Sequence, residues 1–110
     1  MKDPREPDEL YDPAHRRGGV LLVLLDAYPR GLRRPTVEKA MFASYQGEDK
    51  LFNRDLVWLQ NQKLIVRTTE EIPGRGDVEV WTITDDGVLI VEGTAERTGV
   101  KIAKPVQKPG

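Results

Sequence analysis

The chain has 110 residues, no cysteine and a formal net charge of −1, with 38% hydrophobic and 32% charged side chains. This length predicts a single domain with one modest core. The absence of cysteine excludes disulfides, iron–sulfur clusters and thiolate zinc sites. The near-zero net charge provides no whole-molecule field that would draw the chain to nucleic acid.

Charge is unevenly distributed between the two ends of the chain. Residues 1–15 hold five acids against Lys2 and Arg5, a local charge of −3, whereas residues 97–110 hold four cations and no acid. Both ends contain prolines and lack apolar periodicity, which is typical of segments that bury nothing. We therefore predict a flexible acidic arm over residues 1–12, a folded domain over residues 13–96 and a flexible basic tail over residues 97–110.

The sequence contains no segment that is predicted to span a membrane. Its longest apolar run covers only residues 20–25, whereas a bilayer-spanning helix needs about 20 apolar residues. The acidic start, interrupted by prolines, differs from a signal peptide. We expect a soluble, cytoplasmic protein with no membrane partner.

The first helix is predicted to begin at Asp12 and Pro13, since aspartate caps helices and proline suits their first turn. It continues through an apolar stripe and ends before Pro29. Gly18 and Gly19 interrupt this pattern, and each glycine costs about 1 kcal/mol in a helix interior. Two interpretations stay open: the pair allows close packing, or it marks the true start of the helix.

The second helix is predicted over residues 35–46. Pro35 opens it, and Gln46-Gly47 ends it, because glycine is the usual left-handed stop. An arginine-rich turn precedes it, and only a few residues separate it from the next helical pattern. This spacing predicts a helix-turn-helix pair.

The third helix organises the domain; it is predicted to begin at Asp49 and to run straight into the strand that starts at Leu64. Its apolar residues recur at spacings of three and four and so share one face; they are Phe52, Leu56 and Leu59. The opposite face is polar. Trp58 is predicted to pack against a neighbouring helix or strand, since aromatic platforms for bases come in sets.

A β-hairpin and a last helix follow. Residues 64–72 and 78–83 have strand patterns, joined by the turn sequence of residues 73–76. Thr84 caps the last helix, which ends near Gly93. The order α-α-α-β-β-α predicts an α+β fold, a winged helix-turn-helix whose wing is the hairpin. A short strand after the first helix would pair with this wing.

Signatures of catalysis are weak. His15 is the single histidine and has no ligand partners at helical spacing, which favours a solvated residue near a helix start. The acid pairs at residues 70–71 and 85–86 fit solvated charges and helix capping. Gly74 and Gly76 stand between two strand patterns, so they indicate a turn and not a phosphate loop. We predict a non-enzymatic protein with no cofactor, metal site or small-molecule substrate.

DNA binding requires cations where a groove and two phosphate backbones would lie. The start and outer side of the third helix carry such residues at the positions from which helix-turn-helix proteins read bases. One arginine lies at the predicted wing tip, and two precede the second helix, where they suit phosphate contacts. The predicted DNA-contacting residues are Lys50, Asn53, Arg54, Arg75, Arg33 and Arg34.

A protein-interaction module that never meets DNA is the alternative. Glu48, Asp49 and Asp55 lie in or next to the third helix and would repel phosphate. The predicted wing is net acidic as well. Salt dependence separates the two functions: DNA binding weakens steeply as salt rises because counterions are released, whereas an apolar protein interface does not.

Three sequence blocks resemble a known family: HRRGGVLLVLLDAYP, RDLVWLQNQKLIV and WTITDDGVLIVEGTAERTGVKI. The chain is similar to the small winged-helix proteins of Mu-like transposable phages and prophages, loosely grouped as ArsR-like. The family's arginine pair, its aspartate–leucine–x–tryptophan–leucine helix, its threonine-capped helix ending in glycine and its closing glycine–valine–lysine match four segments here. These are residues 16–17, 55–59, 84–93 and 99–101. The resemblance covers roughly residues 14–104.

The resemblance implies the fold and a phage or prophage origin; with the cations described above, we predict a transcriptional regulator that binds double-stranded DNA in a bacterial host cell. Regulators of this fold often dimerise through their first and last helices, so it also implies a homodimer, for which the apolar residues 89–91 are suited. The chain departs from the family at Lys63, where the third helix normally ends in glycine. A lysine there is strained if its backbone is left-handed. The predicted wing is also longer and more acidic than in the family.

Overall fold

The computed structural model describes residues 12–103. This part of the chain is an α+β domain with five helices and one three-stranded antiparallel sheet, an arrangement compatible with a winged helix. Its elements are α1 (Pro13–Leu25), β1 (Leu32–Arg33), α2 (Arg34–Ala40), α3 (Phe42–Tyr45), α4 (Asp49–Asn61), β2 (Ile65–Ile72), β3 (Gly76–Ile83) and α5 (Asp85–Glu92). The predicted arm up to residue 11, and residues 104–110 of the predicted tail, lie outside the described residues.

The start of α1 is confirmed. The Asp12 carboxylate accepts a hydrogen bond from the backbone N–H of His15, and the His15 ring lies 3.1 Å from the same oxygen. Gly18 and Gly19 are therefore inside the helix and do not start it. A Cβ atom on Gly18 would overlap the backbone carbonyl of Lys101, so close packing is the correct interpretation for this glycine.

The predicted second helix is divided into α2 and α3. Met41 leaves the helical conformation, with φ −101° and ψ 12°, and no proline or glycine in the sequence signals this break. Val37, Met41 and Tyr45 nevertheless share the buried side because they are four residues apart. Gln46 ends α3 in the left-handed conformation, as predicted for this segment.

The core lies between the helices and the inner face of the sheet. α1, α4, β3 and α5 contribute most of the side chains that are nearly removed from solvent. These include Val20, Leu21, Leu24, Phe52, Leu56, Leu59, Trp81, Ile83 and Ile90. Burying one such aliphatic or aromatic side chain stabilises the domain by about 1.5–3 kcal/mol. The apolar stripes predicted for the first and third helices are confirmed.

The sheet has the order β1-β3-β2. The short strand predicted after the first helix exists, since Leu32 pairs with Trp81 and Arg33 with Val80. β2 and β3 pair from Ile65 opposite Ile83 to Ile72 opposite Gly76. Residues 66–71 are all exposed, so the hairpin extends away from the core.

The last helix also follows its prediction. The Thr84 hydroxyl accepts a hydrogen bond from the Gly87 N–H at 3.1 Å and donates one to the Lys63 carbonyl at 2.8 Å. Gly93 ends α5 with φ 85°. Within α5, Ile90 is buried and Leu89 is 43% exposed.

Lys63 adopts the left-handed conformation, with φ 62°. We expect Lys63→Gly to raise the free energy of unfolding by about 0.5–1 kcal/mol, because glycine removes a Cβ strain of about 1–2 kcal/mol but loses more chain entropy. Urea unfolding measures the change. Lys63→Ala is the control, since it keeps the Cβ atom and should bring no gain. An equal gain from both variants would contradict the strain at this residue.

Residues 97–103, here called the C-terminal strap, pack on the domain. Arg97 Nη1 donates to the Gln62 carbonyl at 2.9 Å, and the Lys101 N–H donates to the Ala14 carbonyl at 3.0 Å. Gly99 lies against the Trp58 ring. The prediction that the domain ends at residue 96 and a free tail begins at residue 97 is therefore wrong for these residues. Their contacts are with segments distant in sequence, so they have no periodic apolar pattern that indicates packing.

No helix within residues 12–103 has both the length and the apolar character needed to span a membrane.

Candidate functional site

One side of α4 is exposed along its whole length. The side chains on it follow the three- and four-residue spacing of a helix and lie away from the buried stripe. From Lys50 onward they comprise two cations, three amides and one valine, with no acid among them. These residues, here called the outer face of α4, are Lys50, Asn53, Arg54, Val57, Gln60 and Asn61.

Asp55 does not belong to this face. Its side chain is fully buried and is surrounded by donors: Arg16 Nε at 3.1 Å, Arg17 Nε at 3.3 Å and the Tyr45 hydroxyl at 2.7 Å. Burial and the hydrogen bond to Asp55 raise the pKa of Tyr45 far above its usual range. The interpretation that Asp55 would repel phosphate is therefore wrong.

The sequence contains a signal for the burial of Asp55. Asp55 lies three residues after Phe52 and four before Leu59, so helical spacing alone puts it on the apolar stripe. An acid in that place must be paired when it is buried. The two arginines of α1 are its partners.

Arg34 is the most connected of the predicted contact residues. Its Nε donates to Glu38 at 2.8 Å, and its Nη1 donates to Asn53 Oδ1 at 3.0 Å and to Glu79 at 3.1 Å. Its guanidinium also lies 5.4 Å from the centre of the Phe52 ring. Partial burial alone would lower the pKa of Arg34, but the hydrogen bonds to the two carboxylates outweigh it and raise the pKa. Its Nε and Nη1 groups thus donate inside the domain.

The acids of the hairpin are partly neutralised by arginines. Glu70 accepts hydrogen bonds from Arg33, and Glu79 pairs with Arg34 and with Arg67, the latter at 3.3 Å. Burial of Glu79 would raise its pKa, but the hydrogen bonds from Arg34 and Trp81 hold the pKa below its ordinary value. The acidic count of the hairpin therefore overstates the negative charge available to repel a ligand.

The predicted contact residues do not form a single cluster. Lys50, Asn53 and Arg54 share the outer face of α4, and Arg34 touches Asn53. Arg33 of β1 lies beside the middle of the hairpin, opposite Val80, and is bonded to Glu70. Arg75 lies in the exposed turn at the tip of the hairpin. Because β2 has eight residues, this tip is roughly 25 Å from the base of the hairpin.

Trp58 flanks the outer face and is packed, as predicted. The Arg17 guanidinium from α1 lies 4.1 Å from the ring centre, a cation–π contact, and Gly99 of the strap packs on the ring edge. Arg17 Nη1 also donates to the Gly99 carbonyl at 3.2 Å. This contact links α1, α4 and the strap.

A shallow cleft of about 50 Å³ lies at the start of α4. Phe42, which is 62% exposed, forms one wall, and Glu48 and Asp49 line its edge. Neither acid has an ion pair within the described residues. Two carboxylates therefore lie at the N-terminal end of α4, directly before Lys50, the first residue of its outer face.

Among residues 12–103, no group of three or more histidine, cysteine, aspartate or glutamate side chains could hold a metal ion. Comparisons with protein-family models, with curated proteins and with solved structures gave no significant match.

Proposed function

We propose that this chain is a non-enzymatic winged helix-turn-helix protein that binds double-stranded DNA. The outer face of α4 would enter the major groove, which admits one α-helix. The β2–β3 hairpin would be the wing, with Arg75 at its tip reaching phosphate or the minor groove. The resemblance to phage winged-helix proteins adds a role in transcriptional regulation of a phage or prophage.

One observation carries the proposal: from Lys50 to Asn61 the exposed residues of α4 include two cations and three amides and no acid. Amide and guanidinium side chains are the groups that form paired hydrogen bonds with base edges. Of the two acids in α4, Asp49 is exposed in the first turn next to Lys50, whereas Asp55 points into the domain and is paired with Arg16 and Arg17.

We expect a tenfold or greater loss of affinity, as an order-of-magnitude estimate, when Arg54 and Arg75 are both changed to alanine, because two groove or phosphate contacts are removed. Fluorescence anisotropy with random duplex DNA at low and moderate salt measures it. The matched control is Arg30→Ala with Lys39→Ala, which removes the same charge from exposed sites outside α4 and the hairpin.

Two outcomes would contradict DNA binding at this face. The first is folded wild-type protein that does not bind duplex DNA at low salt. The second is an equal loss in both double variants, which would mean that total charge alone determines affinity. Wild-type affinity should fall steeply as salt rises.

The second candidate function is protein interaction, and the cleft beside Phe42 favours it. An exposed phenylalanine next to the carboxylates of Glu48 and Asp49 suits a partner side chain with an apolar stem and a positive end. Binding of such a partner would weaken after Phe42→Ala and would leave the outer face of α4 free. Duplex binding that is insensitive to Phe42→Ala separates the two functions.

A further inference from the structure

The amide of Asn53 is held in one orientation by Arg34. Arg34 Nη1 donates to Asn53 Oδ1 at 3.0 Å. A guanidinium can only donate, so the atom that faces it must be the amide oxygen and not the nitrogen. The Nδ2 group of Asn53 is consequently directed away from Arg34, on an exposed residue of the α4 outer face.

Arg34 is itself fixed from several sides. Glu38 of α2 and Glu79 of β3 accept its hydrogen bonds, and the Phe52 ring lies beneath it. Glu79 is in turn held by the indole N–H of Trp81 at 3.2 Å. The Arg34 side chain is only 21% exposed. Asn53 is therefore bonded to a support that joins two helices and the sheet.

We propose that Arg34 is a positioning residue that presents Asn53 for reading adenine in the major groove, an inference that rests on the proposed DNA-binding function. An asparagine reads adenine with both ends of its amide: Nδ2 donates to N7, and Oδ1 accepts from the N6 amino group. A carbonyl oxygen has two lone pairs, so Oδ1 can serve Arg34 and the base together. Guanine offers two acceptors at the same positions and would leave Oδ1 facing another oxygen.

These hydrogen bonds also bear on the role of Arg34. The sequence predicts that Arg34 contacts phosphate, but its Nε and Nη1 groups already donate to Glu38, Asn53 and Glu79. Because it is bonded to a residue of the outer face, it influences base choice through Asn53 without touching the base. Its removal should change which base is preferred more than it changes overall affinity.

The test is selection of binding sites from a randomised duplex library by the full chain, with random-duplex affinity measured in parallel by anisotropy. We expect the wild type to prefer adenine by about tenfold at one position of each site. Asn53→Ala should lose that preference. Arg34→Lys keeps the charge but not the forked donor. It should reduce the preference for adenine at the same position, while random-duplex affinity stays within about threefold of the wild-type value. Arg30→Lys is the matched control and should change neither quantity.

A second variant tests the orientation of the Asn53 amide without changing Arg34 or its partners Glu38 and Glu79. Asn53→Asp keeps the size of the side chain and its bond to Arg34, but it cannot donate to N7 and can accept from the cytosine amino group. The preferred base at that position should therefore change from adenine to cytosine.

The outcomes distinguish this inference from the proposed function. Sites selected by the wild type without an adenine position that depends on Asn53 would overturn the inference and leave DNA binding intact. Full adenine preference in folded Arg34→Lys would overturn the positioning role. A folded wild type that selects no sites and binds no duplex would overturn both.

Discussion

Replacing Asp55 by alanine is expected to lower the free energy of unfolding by about 3–5 kcal/mol, because it removes the buried carboxylate of an ion pair with Arg16. Arg16 is 6% exposed, and both Arg16 and Arg17 donate to the Asp55 carboxylate. The Tyr45 hydroxyl also loses its acceptor. A loss of this size is a large part of the total stability of an ordinary domain, which is about 5–15 kcal/mol.

Urea unfolding followed by circular dichroism measures this change. Asp49→Ala is the matched control, since Asp49 is an exposed aspartate in the same helix, and its loss should cost no more than about 1 kcal/mol of helix-dipole interaction. Equal losses in the two variants would show that the buried cluster contributes no special stability. Asp55→Asn should fall between them, because the amide keeps one acceptor but not the charge.

The second large effect is expected from Gly18→Ala. Alanine normally favours a helix interior over glycine by about 1 kcal/mol. Here the new methyl group would overlap the backbone carbonyl of Lys101 and push the C-terminal strap away from α1. Overpacking of this kind costs about 1–3 kcal/mol, so we expect a net loss of stability and faster trypsin cleavage after Arg97 and Lys101.

Gly19→Ala supplies the control for this experiment. A Cβ atom on Gly19 would meet the Cε atom of Met41 at 2.8 Å, the mobile end of a flexible side chain that can move aside. The free energy of unfolding of the Gly19→Ala variant should be unchanged or higher by up to about 1 kcal/mol, and the variant should resist trypsin as the wild type does. Identical behaviour of the two alanine variants would contradict the docking of the strap on Gly18.

Much of the fold could be predicted because its signals are local. Asp12 with Pro13, Thr84 and Gly93 mark helix ends through the backbone groups that they cap or the conformations that they permit. The apolar spacing of α4 identifies its buried side. None of these needs knowledge of what the element packs against, which is why each could be read from a single sequence.

The tertiary features could be predicted less well. The strap is held by contacts such as Lys101 N–H to the Ala14 carbonyl, which join residues far apart in sequence and involve backbone atoms that every residue has. The role of Arg34 likewise depends on Glu79, brought close only by the pairing of β1 with β3. The burial of Asp55, in contrast, can be predicted from the sequence, because helical spacing places this residue on the buried stripe.

The central claim is that duplex DNA contacts the outer face of α4. The most direct measurement is the change in backbone amide chemical shifts of the isotopically labelled full chain when random duplex DNA is added at low salt. We expect the largest changes at residues 50–61 and 73–76, reversed when salt is raised. Changes confined to residues 42–49 or to residues 104–110, with those of the outer face unaffected, would contradict the claim.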